Sequence, residues 1–224
     1  MARRPTERQL KTLVAAYADR FDQFDLFRQQ VQAFFNSSRQ FHRPPLPLVH
    51  SVKSRMKDPD HLREKLIKKF IDGPITPDTL FTRITDFAGV RVLHLYTQQF
   101  SEIHAAIKEH IRQNFWSLAE PPVAYSWDPE TTAAFEALGI ASKLRETYYT
   151  SIHYVVKPHA ESDLTCEVQV RTLFEEAWGE IDHALNYPTP TEIVACREQL
   201  RVLAKLASTG TRLADSIFKS AIEE

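Results

Sequence analysis

Glycine is scarce in this sequence: five residues in 224, at Gly73, Gly89, Gly139, Gly179 and Gly210, against roughly 7% in average proteins. Their wide separation excludes the Walker P-loop, the dinucleotide-binding fingerprint and the kinase glycine loop, each of which brings bare backbone up to a phosphate. A phosphate bound by this chain must be gripped by side chains. Cysteine is rarer still, and Cys166 and Cys196 form neither a CxxC nor a Cys/His ligand spacing. Neither a disulfide scaffold nor a zinc site is expected, and a reducing cytoplasm fits best. An excess of one charge is also missing. The 28 basic residues balance 29 acidic ones for a net charge of -1, so no global field attracts nucleic acid and any anion site must be a local cluster. No apolar run approaches the roughly eighteen residues of a membrane span, and the N-terminus lacks the apolar core of a signal peptide. A soluble, cytoplasmic chain without membrane contact is expected.

What is present reads as an α+β architecture. Thr6 with Gln9 makes a capping box, and Leu10, Leu13, Val14, Tyr17, Phe21, Phe24, Phe27, Val31, Phe34 and Phe35 then recur at three- and four-residue steps. This predicts one long amphipathic helix, ended by Pro44, Pro45 and Pro47. Residues 48–56 look extended. Asp58 and Pro59 start a second helix with Leu62, Leu66, Ile67 and Phe70 as its inner stripe, and Thr76 and Pro77 start a shorter one. A strand is expected over 89–97 and a helix over 100–115; the stretch 117–148 is expected to be a long loop with one helical patch at 131–138. Period-two alternation predicts a hairpin-like pair of strands over 151–157 and 164–171, followed by helix to Pro188 and again from Thr191 onward. The expected whole is a small mixed β-sheet flanked by helices, with a helical segment over 1–47, a core over 48–188 and a C-terminal helix over 189–224.

The last predicted strand carries Glu167, Gln169 and Arg171 on one face, with about 7 Å between successive members. By itself this could be the solvated outer face of an antiparallel sheet. Asp86, just ahead of the strand that opens at Gly89, would approach Glu167 if the two strands were neighbours, and a pair of acids is how magnesium is held when it also binds substrate phosphates. Cations gather upstream: Lys53, Arg55, Lys57, Arg63, Lys65, Lys68 and Lys69. Some of these are ordinary surface charges. Arg55 and Lys57, however, lie two apart on an extended segment, hence on one side of it, beside a helix N-terminus that attracts anions.

With these residues in place, the sequence resembles the RelA/SpoT family of alarmone synthetases. The resemblance runs over about 49–187 in five ordered segments: Arg55-Met-Lys57 with Glu64-Lys65, Asp86-Phe-Ala-Gly89-Val-Arg91, Tyr149-Thr-Ser151-Ile-His153, Glu167-Val-Gln169-Val-Arg171-Thr172, and Trp178-Gly-Glu-Ile-Asp-His183 with Asn186-Tyr187. It implies a nucleotidyltransferase-like synthetase fold and magnesium-dependent transfer of pyrophosphate from ATP to the 3′ hydroxyl of GDP or GTP. Arg55 and Arg91 match the arginines that clasp adenine, and Lys57 and Lys65 the lysines on the ATP phosphates. Asp86 matches the metal ligand, and Glu167 the acid that helps hold the metal or activates the hydroxyl. Tyr149 matches the tyrosine that stacks on guanine; His153 and Gln169 match polar residues lining the guanosine site. Arg171 is expected to orient Glu167 or contact the acceptor, and Trp178 and His183 to pack or cap.

The sequence departs from the family's pattern at the guanine loop, where Gly-Tyr-Arg-Ser-x-His is replaced by Tyr148-Tyr149-Thr150-Ser151-Ile152-His153. Backbone freedom and a cation are lost there. Glu176 falls where some members carry an amide or imidazole facing the base. The Asp60-His61 pair is reversed relative to the His-Asp of the family's hydrolase domain, so synthesis without hydrolysis is expected, in a small synthetase that oligomerises through its end helices or in an excised domain. Two alternatives stand beside this reading: a toxin-like relative that modifies the 3′ end of tRNA, and a catalytically silent nucleotide-sensing module.

Overall fold

The computed structural model describes residues 4–222 apart from 45, 146 and 188; Pro45 and Pro188, both expected as helix terminators, lie outside the described residues. Among the described residues six strands, β1 (Ser51–Met56), β2 (Ala88–His94), β3 (Ser117–Ser126), β4 (Ala141–Leu144), β5 (Ser151–Lys157) and β6 (Cys166–Thr172), form one mixed sheet in the order β1-β2-β6-β5-β3-β4. Only β2/β6 and β3/β4 are parallel. The helices are α1 (Glu7–Ala18), α2 (Phe21–Ser37), α3 (Pro59–Lys69), α4 (Pro77–Arg83), α5 (Gln99–Arg112), α6 (Pro129–Ala137), α7 (Leu173–Asn186) and α8 (Val194–Ile222). The α+β expectation therefore holds, with a larger sheet than the sequence suggested.

The N-terminal segment is two helices rather than one. The Thr6–Gln9 capping box starts α1 as expected, but the helix ends at Ala18 and Arg20 leaves helical geometry (φ -114°, ψ 7°) before α2 begins. The bend serves the core. It brings the rings of Tyr17 and Phe24 within 4.8 and 5.1 Å of the same Phe87 ring, and Arg20 lies over Phe81 while pairing with Asp163. In α3 and at its C-cap, Leu62, Leu66 and Phe70 are buried as expected, whereas Ile67 is exposed.

The stretch 117–148 differs in part from expectation: α6 falls at the helical patch expected over 131–138, but β3 and β4 flank it in place of a loop. Pro121 and Pro122 disguise β3. They fall within its irregular pairing with β5, between Glu120 and Val123, where a missing N–H is tolerated.

One face of the sheet is the core: Val90, Val92, Val168, Val170, Ile152, Tyr154 and Val156 are all buried, and α2 lies against β1, β2 and β6. The other face is left for polar chemistry, with α7 beside β2 and β6 and α8 packed on α7.

A buried histidine that ends β2 and a half-buried glutamate in the first turn of α7 oppose one another. Burial pulls His94 down to about 4 and pushes Glu175, the capping-box acid of α7, up to about 7. As pH falls through the ordinary histidine range the unfolded chain takes up the His94 proton first, so stability is lost; Glu175 binds its proton more tightly in the folded chain and adds stability over the same interval. Glu175→Gln removes only the second effect. Relative to wild type, this variant is expected to lose on the order of 3 kcal/mol more stability between pH 7 and 4.5, measured by urea unfolding across that range; a difference independent of pH would contradict the assignment.

Candidate active site

Strand register assembles the site. Lys53 stands opposite Arg91, Arg91 opposite Gln169, and Gln169 opposite His153; one step along, Arg55 stands opposite Gly89 and Gly89 opposite Glu167. Because side chains alternate between faces, all of these share the face away from the valine core. The adjacency of β2 and β6 on which the pairing of Asp86 with Glu167 depended is present.

A cavity of about 280 Å³ opens on this face, walled by Arg55, Lys57, Asp86, Arg91, Glu167 and Gln169, with Lys53 and Glu180 at its side. Asp86 sits in the turn between α4 and β2, which is pinned when the Lys57 N–H donates to the Phe87 carbonyl at 2.7 Å. Lys65 is set by α3, whose N-terminus is capped by Asp58 accepting from the Asp60 and His61 N–H groups. Arg63, on the same helix, points away to Glu7.

Both lysines converge on a single oxygen of Asp86, Lys57 Nζ at 2.9 Å and Lys65 Nζ at 2.7 Å from Oδ2. The other oxygen, Oδ1, is buried with no partner. Burial opposes ionisation of Asp86, but the two ammonium groups outweigh it and hold the carboxyl below the usual aspartate range. The result is a charged carboxylate with one saturated and one unspent oxygen. A hard divalent cation needs such a ligand.

Glu167 is the second acid. Its Oε1 accepts from His153 Nδ1 at 3.0 Å and its Oε2 from the Gln169 amide at 2.7 Å. Burial and the negative charge of Asp86 push its pKa up, while the bonds from His153 and Gln169 pull it down; the net effect is downward. Since a carboxylate can only accept, His153 Nδ1 carries the proton, and Nε2 is left to accept the Tyr149 hydroxyl at 3.0 Å. Tyr149, His153, Glu167 and Gln169 thus form one hydrogen-bonded chain from the turn ahead of β5 to the cavity wall.

Glu176 is enclosed by cations. Lys53 Nζ and Arg91 Nη1 each stand 2.9 Å from its Oε1, and the buried Arg171 pairs with Oε2. Arg91 also pairs with Glu180; burial disfavours its charge, but the two glutamates raise its pKa. Arg171 fits because residue 179 is glycine: a Cβ there would stand 2.9 Å from its guanidinium. The guanidinium carbon lies 5.8 Å from the Tyr149 ring centre. Trp178 is buried with its indole N–H on the Leu200 carbonyl, and His183 stacks on Tyr187, the packing roles expected of them.

Lys65 therefore reaches the cavity through Asp86, while Tyr149, His153, Arg171 and Glu176 lie beside it and join it through these contacts. The structure adds residues that sequence reasoning left out. Lys53 was one charge among seven upstream; the alternation Lys53–Arg55 already placed it with Arg55. Glu180 stands one helical turn after Glu176. Tyr125 packs edge-on to His153 at 4.8 Å with Arg145 over its ring, and both lie in or beside the stretch read as a loop. Tyr148 occupies the position where a glycine was expected, and it takes a left-handed backbone (φ 58°) with its ring against Trp127. Thr150, in place of the arginine, is buried beside Ser126.

The family profile described as "Region found in RelA / SpoT proteins" matches residues 54–192. Solved structures with the same fold include a GTP pyrophosphokinase family protein from Streptococcus pneumoniae, 19% identical, with a TM-score of 0.69 over 92% of this chain and 95% of that one. They also include small alarmone synthetase 1 from Bacillus subtilis. Bound to its product pppGpp it is 18% identical, with a TM-score of 0.67 over 89% and 94% of the two chains; bound to AMPCPP it is 16% identical, with a TM-score of 0.64 over 90% and 96%. No curated protein is significantly similar in sequence.

Proposed function

Because the chain belongs to the family of RelA/SpoT proteins and has the fold of the small alarmone synthetases, we propose that it transfers pyrophosphate from ATP to the 3′ hydroxyl of GDP or GTP, giving AMP and ppGpp or pppGpp. One observation carries this reading. A carboxylate with an unspent buried oxygen, Asp86, and a second ionised carboxylate, Glu167, share a cavity walled by Arg55, Lys57 and Arg91.

In the proposed reaction the 3′ oxygen attacks the β-phosphorus of ATP, the bond from that phosphorus to the α,β-bridging oxygen breaks, and AMP leaves. Glu167 accepts the hydroxyl proton, and His153 and Gln169 hold its carboxylate in place. Such transfers depend on positioning and charge neutralisation rather than covalent help from the protein. Arg55 and Arg91 offer flat guanidinium groups to adenine, and Lys57 and Lys65 offer point charges to the phosphates. Asp86 and Glu167 suit magnesium, being hard oxygen donors one of which has a free buried atom; when bound, the ion neutralises phosphate charge. Tyr149 stacks on the acceptor base, with Gln169 and His153 beside it. Both oxygens of Glu176 are already occupied by cations, so it serves the acceptor side by fixing Arg171 and the ATP side by fixing Arg91. Synthesis without hydrolysis belongs to the same proposal, as does a cytoplasmic setting; among the described residues no helix is long and apolar enough to cross a membrane.

The test is incubation with labelled ATP and magnesium in the presence of GDP, GTP or deacylated tRNA in turn. Label on GDP or GTP is the expected result. Label on tRNA alone would favour the toxin-like alternative, and no transfer to any acceptor would leave the silent module. Tyr149→Leu is expected to raise KM for the nucleotide acceptor about tenfold or more, since base–aromatic stacking contributes roughly 1–3 kcal/mol, with KM for ATP nearly unchanged; equal changes in both would contradict its placement on the acceptor side.

A further inference from the structure

The two ends of the cavity differ in chemistry. At one end Asp86 stands between Lys57 and Lys65; at the other Lys53 and Arg91 are opposite one another across β1 and β2. Five residues along the chain separate Asp86 from Arg91, up to roughly 16 Å at the rise of an extended strand. A nucleotide with its phosphates at Asp86 and the two lysines therefore has its base at the Arg91 end. Three acids line the cavity, and two of them, Asp86 and Glu167, belong to the phosphate end. The third is Glu180, which α7 carries to the base end, where it pairs with Arg91.

Glu180 differs from Glu176, the other acid on Arg91. The Glu176 side chain is 6% exposed and both its oxygens are taken by cations, whereas that of Glu180 is 55% exposed and, among the described residues, only its Oε1 is bonded. Arg91 already has a buried partner in Glu176, and an exposed ion pair adds little to the stability of a fold. The arrangement leaves a carboxylate with a spare oxygen beside the base. Arg91 meets both glutamates through Nη1, at the edge of the guanidinium, so its flat face is left for a ring to rest on. The rim of such a ring lies against Glu180. A carboxylate only accepts, while Lys53, Arg55 and Arg91 around it only donate. The rim must therefore offer Glu180 an N–H, as the 6-amino group of adenine does; a 6-oxo base would set oxygen against oxygen. We propose that Glu180 selects adenine in the donor nucleotide by accepting a hydrogen bond from its 6-amino group. The assignment rests on ATP being the donor.

The test is titration calorimetry with magnesium and no acceptor, comparing ATP with purine riboside 5′-triphosphate, which has hydrogen in place of the 6-amino group. Wild type is expected to bind ATP on the order of tenfold more tightly, as one hydrogen bond to a charged group provides. Glu180→Ala is expected to bind the two within about twofold of each other, because no polar group is left to miss the absent amino group. Glu180→Gln, which keeps an accepting oxygen without the charge, should fall between. Both substitutions sit at an exposed position of α7. Loosening of Arg91 weakens both nucleotides alike, so the ratio of the two affinities reports the contact itself. A wild type that binds both equally, or a Glu180→Ala chain that keeps the full preference, would overturn the proposal and leave ATP as the donor. A wild type that binds neither would overturn the donor reading and this assignment with it.

Discussion

Glu167→Gln is expected to reduce kcat for pyrophosphate transfer on the order of 10³-fold, within the range that a positioned general base contributes, and to leave the fold intact. The substitution keeps the shape of the side chain and removes its charge. One hydrogen bond must invert, because the new amide would face the Gln169 amide that now donates to Oε2 at 2.7 Å; Gln169 can rotate to present its oxygen. The bond from His153 to the remaining carbonyl oxygen survives. Relief of a buried charge offsets the altered bonding, so the melting temperature should move little. Steady-state rates measured beside thermal unfolding separate the two effects. A variant with kcat within tenfold of wild type would remove Glu167 from the chemistry.

Asp86→Asn is expected to be as damaging to activity and more damaging to structure. Lys57 and Lys65 both point at Oδ2, and without the negative charge two ammonium groups are left facing each other across a neutral amide. The metal-competent oxygen also becomes part of a weak ligand. A loss on the order of 10²-fold or more in kcat is expected from removing one preorganised charge of this kind, and extra magnesium should fail to restore it. The stability effect has a defined pH window. The folded Asp86 carboxyl is held below its ordinary value, so its stabilisation is fully present above about pH 4 and is lost as pH falls below that. Variant and wild type should therefore unfold alike in acid and diverge as pH rises. Identical denaturation curves at pH 7 would show that the lysines do not depend on Asp86.

The parts of this site that the sequence exposed were those written in short-range periodicity. Glu167, Gln169 and Arg171 alternate along one strand, Arg55 and Lys57 along another, and register alone brought Arg91, Gln169 and His153 into a row. What it concealed depends on contacts between distant segments. Neither proline nor glycine marks the bend at Arg20; the chain turns there so that Tyr17 and Phe24 can reach Phe87. Two prolines hid β3, and with it Tyr125 beside His153. The cation cage around Glu176 joins β1, β2, β6 and α7, and nothing local in those four segments announces it. The missing glycine at 148 was visible as a departure, whereas the left-handed backbone that makes it matter emerged only in three dimensions.

In the proposed reaction both outer phosphates of ATP move together onto a nucleotide acceptor. ATP labelled at the β-phosphate, incubated with the protein, magnesium and GDP or GTP, tests it most directly. The label is expected to appear on the acceptor at the rate at which unlabelled AMP is released. Label retained in ADP, with only the γ-phosphate transferred, would contradict it.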